Sequence, residues 1–134
     1  MARARPVLLG DLEQAVMDHL WATGAQDVKA CHLAIGRRRR ITLNTVQSTM
    51  ERLWRKGLLR REKVSHAYVY EPALSREAYG ARLAREVVAA VVGQDAPAAV
   101  LAAFVDVAER AGDEGLARME ALIAAKRAGA RRPT

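Results

Sequence analysis

A chain of 134 residues with 4% aromatic side chains is one domain, or one small domain with an appendage, able to bury only a modest core. Its net charge is +7, and residues 29–63 alone carry eleven Lys/Arg against two acids, so the whole positive excess lies in that stretch. A single cysteine, Cys31, excludes an internal disulfide and suits a reducing compartment, and no apolar run approaches the ~20 residues of a membrane span.

The first nine residues contain only three consecutive apolar side chains, Val7 to Leu9, short of the ~7–15 that a secretory signal needs. The expectation is a cytoplasmic protein with no membrane insertion. Asp11 and Glu13 then favour the positive end of a first helix, whose apolar positions Leu12, Val16, Leu20 and Trp21 keep helical spacing up to Thr23-Gly24. A short second helix is expected from Asp27 to about Ile35, burying Val28, Cys31 and Ile35, with Gly36 as its C-cap. Arg37, Arg38, Arg39 and Arg40 follow at once. Four adjacent cations repel one another unless a polyanion is near, so phosphate contact is expected of at least two of them.

Thr42 is a good N-cap for a third helix. At about 100° per residue, Val46, Met50, Leu53 and Trp54 form its inner stripe. Asn44, Ser48, Glu51 and Arg55 lie opposite, flanked by Gln47 and Arg52. Amide, hydroxyl and guanidinium groups on one outer face can contact base edges and phosphates in a major groove. Gly57 closes this helix. Leu58 to Lys63 and Ala67 to Glu71 alternate as two strands around Val64-Ser65-His66, with Tyr68 and Tyr70 on one face. The cations Arg60, Arg61, Lys63 and His66 sit on this hairpin as candidate wing contacts to DNA. Three helices and a hairpin in this order predict a winged helix-turn-helix, mainly α in class.

Glu71-Pro72 forms a seam, because proline ends a strand. Residues 73–134 carry a net charge of only +1 and read as helices. Ser75 caps one that holds Tyr79, Leu83, Val87, Val88 and Val91. Gly93 and Asp95-Ala96-Pro97 break it. A second runs from Pro97 to Arg110 with Val100, Leu101, Phe104, Val105 and Val107. A third, after Gly112, carries Leu116, Met119, Leu122 and Ile123, and Gly129 is expected to stop it. The expected division is a DNA-binding domain over residues 1–72, a helical region over 73–128 and a disordered tail over 129–134. The helices after Pro72 are too small and alanine-rich to bury their apolar stripes alone, so pairing with a second copy is expected.

No catalytic constellation is visible. Nothing matches a nucleophile elbow, a phosphate-cradling glycine loop or a zinc-protease helix. His19, His32 and His66 lack paired metal-ligand spacing with Cys31 or a carboxylate. A binding protein without metal or cofactor is the expectation. Its partner is double-stranded DNA, read in a sequence-specific way or, as the alternative, bound non-specifically by an architectural protein.

Three segments carry a family resemblance: LGDLEQAVMDHLW at Leu9 to Trp21, TLNTVQSTMERLWRKGLLRREK at Thr42 to Lys63, and AYVYEP at Ala67 to Pro72. In order and spacing they resemble the penicillinase-repressor family, the BlaI/MecI group of winged-helix regulators, over about residues 8–127. Ser48 and Arg55 are mild departures from its pattern. The resemblance implies a homodimeric repressor whose C-terminal helices make the dimer contact and whose two recognition helices meet a dyad-symmetric operator. By position, Thr42, Asn44, Thr45, Gln47, Ser48 and Arg52 match the family's DNA-facing helix.

The dimer contact would then draw on Leu83, Val87, Val91, Leu101, Phe104, Val105, Leu116, Met119 and Ile123. The resemblance also implies relief of repression by a protease linked to a membrane β-lactam sensor. The matching bond is Ala103-Phe104, where familiar members carry asparagine before the phenylalanine. A copper-responsive branch carries paired C-terminal cysteines, and this chain has none there.

Overall fold

The computed structural model describes residues 9–92 and 97–131. Helix α1 spans Asp11–Thr23, and a two-residue strand β1 spans Gln26–Asp27. Helix α2, Val28–Cys31, continues as a π-helical turn over His32–Gly36. Helix α3 spans Leu43–Arg55, strands β2 and β3 span Leu59–Val64 and Ala67–Pro72, and α4 spans Arg76–Val92. Helices α5, Ala98–Arg110, and α6, Asp113–Ala130, complete the order. The chain forms two compact units that divide between Ala90 and Val91.

In the first unit the expected three helices and hairpin form a winged helix, and they gain a third strand. The antiparallel sheet runs β1-β3-β2, with Gln26 opposite Tyr70 and Asp27 opposite Val69. β2 pairs with β3 from Leu59–Pro72 to Val64–Ala67. A two-residue strand shows no alternation in sequence, so β1 left no signal there. Asp27 also caps α2, accepting from the Ala30 amide at 2.8 Å.

Val16, Met17 and Leu20 of α1, Cys31 of α2, Val46, Met50 and Leu53 of α3, and Leu58, Leu59 and Tyr70 of the wing form one core. Each fully buried large apolar side chain there stabilises the fold by about 1.5–3 kcal/mol. Cys31 is part of this core as expected, and burial pushes its thiol up to about 11. The core does not end at Pro72. Tyr79 of α4 belongs to it, and Leu74 and Leu83 pack against it.

That joint is held by α1. The Trp21 indole N–H donates to the Leu74 carbonyl at 3.0 Å, and its ring lies 5.6 Å from that of Tyr79. The Arg76 guanidinium pairs with Asp18 at 3.1 Å. Ser75 caps α4 as expected, its hydroxyl accepting from the Ala78 amide at 3.0 Å.

Two expectations for this unit need correction. Gly36 is not a left-handed C-cap; it lies buried in the π turn against the His32 ring, whose Nε2 donates to the Ile41 carbonyl at 2.7 Å. The left-handed residue of this connection is Arg40, with φ 54°, just before the cap of α3. Trp54 is not core: it is 37% exposed at the margin of the inner stripe.

In the second unit α5 and α6 pack as a hairpin. They meet closely at Gly115, where a Cβ would strike the Ala108 carbonyl oxygen and lie 2.8 Å from the Ala111 methyl. Neither helix has a buried residue. Gly129 does not stop α6, which runs on to Ala130, because an interior glycine costs a helix only about 1 kcal/mol.

Candidate nucleic-acid interface

The candidate surface begins with how α3 is fixed. Thr42 Oγ1 accepts from the Thr45 amide at 3.2 Å, and the two hydroxyls lie 3.0 Å apart. At the other end Gly57, with φ 81°, donates to the Trp54 carbonyl and Leu58 donates to that of Leu53, both at 3.0 Å. This pair of bonds with the buried Leu53 and Leu58 is a Schellman stop. Val46, Thr49, Met50 and Leu53 turn into the core. Thr49 satisfies its buried hydroxyl by donating to the Thr45 carbonyl at 2.8 Å.

The opposite face is open. Asn44, Thr45, Gln47, Ser48, Arg52 and Arg55 are all exposed, as is Thr42 at the cap. Leu43 joins them at the N-terminal end, an apolar member that the polar pattern did not mark. Beside this face lie two grooves. One, of about 550 Å³, is lined by Gly10, Asp11 and Glu13 of the α1 end and by Asn44, Ser48 and Arg52. The other, of about 430 Å³, lies between α2, α3 and the wing and includes Lys29, Leu43, Gln47, His66 and Tyr68. Lys29 was visible in sequence only as part of the cationic run.

The cations do not all serve one purpose. Arg37, Arg38, Arg39 and Arg40 are exposed and make no ion pair among the described residues. Lys56, by contrast, reaches back to Glu13 of α1, Nζ to Oε2 at 2.7 Å. Burial pushes the Glu13 carboxyl up, but the Lys56 ammonium, the Gly10 amide and the charge of Arg52 outweigh it, so it titrates below its ordinary value. Glu13 Oε1 accepts from the Gly10 amide at 3.3 Å, half of a capping box. Arg55 pairs with Glu51 at 3.2 Å and Arg60 with Glu71 at 3.3 Å, both at exposed positions where such pairs contribute little.

On the wing, Lys63 and His66 are exposed. Arg61 is half-buried: its guanidinium carbon lies 3.5 Å from the Trp54 ring centroid and 4.1 Å from that of Tyr68. Each such cation–π contact is worth about 0.5–2 kcal/mol, rising with desolvation.

The residues expected to pair two copies fall in both units. Leu83 packs against the core of its own unit and Val87 is half-buried. The side chain of Val91 lies outside the described residues. Leu101, Phe104, Val105 and Ile123 are exposed on the α5–α6 hairpin, and Leu116 and Met119 are half-buried. Ala103 and Phe104 lie within α5, both exposed. Among the described residues no group of His, Cys, Asp or Glu could hold a metal ion, and no helix is long and apolar enough to cross a membrane.

Residues 9–125 match the penicillinase repressor family. The chain is 36% identical over 132 residues to the transcriptional regulator BlaI of Mycobacterium tuberculosis, in strains CDC 1551 and H37Rv alike, an alignment spanning 97% of this chain and 94% of that protein. Among solved structures, the solution structure of the DNA-binding domain of the repressor BlaI shares 24% identity at a TM-score of 0.49, over 57% of this chain and 90% of that one. YusO of Bacillus subtilis shares 14% at 0.46, over 78% and 76%. On the family match and the 36% identity along almost its full length, the chain is a member of the penicillinase repressor family.

Proposed function

We propose that this protein is a DNA-binding transcriptional repressor that reads a dyad-symmetric operator as a homodimer. One observation carries the reading: α3 is anchored in the core by Val46, Met50 and Leu53 while its Thr42, Asn44, Thr45, Gln47, Ser48 and Arg52 all face solvent. A helix held by one side, with amides and a guanidinium on the other, fits the major groove. The exposed Arg37–Arg40 tract at its N-terminal side supplies phosphate contacts that fix its register. Its membership of a repressor family supports the same role. The related protein of Mycobacterium tuberculosis is a transcriptional regulator by name, and no enzymatic role is proposed here.

The α5–α6 hairpin supports dimerisation, since it exposes Leu101, Phe104, Val105 and Ile123 and has no interior of its own. A second copy covering these side chains would join two α3 helices in one molecule, the number needed for successive major grooves about 34–36 Å apart. Losing the pairing would turn one bivalent event into two weak ones and lower avidity by roughly 10²–10⁴. Cleavage at Ala103-Phe104, by a protease tied to a membrane sensor, is one route to that loss. The setting for all of this is the cytoplasm.

The test compares two duplexes at ~150 mM salt: the DNA upstream of the protein's own gene, and the same bases scrambled. The repressor reading expects a preference of roughly 10³ or more. Equal affinity for both would instead identify a non-specific DNA-binding protein.

A further inference from the structure

We infer that Arg61 is a positioning residue, whose guanidinium pins the wing to α3 through Trp54 and Tyr68 and does not itself neutralise a phosphate. The inference rests on the DNA-reading role proposed above for α3 and the wing. Its ground is the stack itself. Arg61, on β2, meets Trp54 of the last turn of α3 and Tyr68 of β3 at 3.5 and 4.1 Å. It stands opposite Tyr70 in the sheet, and its Nη1 donates to the Tyr70 hydroxyl at 3.4 Å. One planar ion therefore touches the recognition helix and both positions of the wing's tyrosine face.

The place of this contact matters. β2 leaves α3 through the turn at Gly57, and Leu59 is its last buried residue. Beyond Arg61, residues 62–68 are all exposed. Among the described residues the Arg61 stack is thus the outermost ring contact between helix and wing, and it sets the angle at which the tip leaves the helix. Trp54 and Tyr68 are 37% and 41% exposed, so without Arg61 both rings would lie open to water.

Guanidinium recognition of phosphate uses the in-plane N–H fork, whereas stacking uses the ring-facing plane. Stacking alone leaves that fork free; at Arg61 its Nη1 edge is turned to the hydroxyl of the buried Tyr70, which takes part of the fork away from a phosphate. Lys63, exposed and without a side-chain partner among the described residues, is a wing cation open to phosphate.

The two roles respond differently to lysine. A phosphate contact tolerates Arg61→Lys, because the charge remains; a planar stack does not. The experiment uses the full chain with 5-fluorotryptophan in place of its two tryptophans, the Trp54 signal being assigned through Trp54→Phe. Affinity for the upstream duplex and its scrambled partner is measured across a salt series.

Arg61→Lys and Arg61→Ala are expected to weaken upstream binding by about tenfold, to keep the wild-type salt slope, and to move the Trp54 fluorine signal. Lys63→Ala is expected to leave that signal in place and lower the slope by about one. Wild-type affinity in Arg61→Lys, a slope lowered by about one in Arg61→Ala, or an unmoved Trp54 signal would each overturn the inference. A wild-type chain with no preference between the duplexes would overturn the repressor reading itself, and this inference with it.

Discussion

The Lys56 ammonium at the C-cap of α3 lies 2.7 Å from the Glu13 carboxylate in the first turn of α1. It ties the far end of the proposed recognition helix to the helix that backs it. Because the Glu13 pKa is lowered on folding, its stabilisation is complete above the unfolded carboxylate value of about 4.3 and is lost as pH falls through the folded one. Lys56→Met leaves a carboxylate that is 8% exposed without its cation. The expected cost at neutral pH is about 1–3 kcal/mol. Burial then dominates, so the acid limb of stability should flatten or invert. Urea melts of both proteins from about pH 3 to 7 check this.

Gly36 is required by contact, not by φ. A Cβ there would strike the His32 ring at Cδ2 and sit 2.9 Å from its Nε2. Gly36→Ala should force the ring off the Ile41 carbonyl and unsettle the arginine loop that leads into α3. Thermal melts should show a loss of about 1–3 kcal/mol.

The winged-helix order was legible because apolar spacing and caps agreed along Asp11–Thr23 and Leu43–Arg55, and Gly57 marked a stop that its φ of 81° explains. Other features arise between elements and leave no local trace. Trp54 fits the inner stripe by angle, yet a strand residue, Arg61, covers it from outside the helix. The charge count could not separate Lys56, bound to Glu13, from the open Arg37–Arg40 tract. Tyr79 lies past a proline that ends a strand, but the hydrogen bond from Trp21 to Leu74 draws the next helix onto the core.

Base reading and phosphate positioning should separate by mutation. Gln47→Ala, on the exposed face of α3, is expected to cost about 1–3 kcal/mol on the upstream duplex and to relax base preference at one position. Arg39→Ala should weaken upstream and scrambled duplexes alike and lower the salt slope by about one. Binding titrations on both duplexes across a salt series distinguish the two patterns.

Phe104, 39% exposed on α5, lies within the surface proposed to pair two copies. Phe104→Asp should shift the chain toward monomer in sedimentation equilibrium, with the winged-helix melt unchanged within about 0.5 kcal/mol. Operator affinity should fall by roughly 10²-fold or more.

Two copies of the α3 outer face are proposed to sit in the grooves of one duplex. Chemical protection of the upstream DNA by the full-length protein tests this arrangement most directly. Two protected patches related by a dyad are expected, their centres about one helical turn, or a whole multiple of it, apart. A single patch, or even protection along the whole duplex, would contradict it.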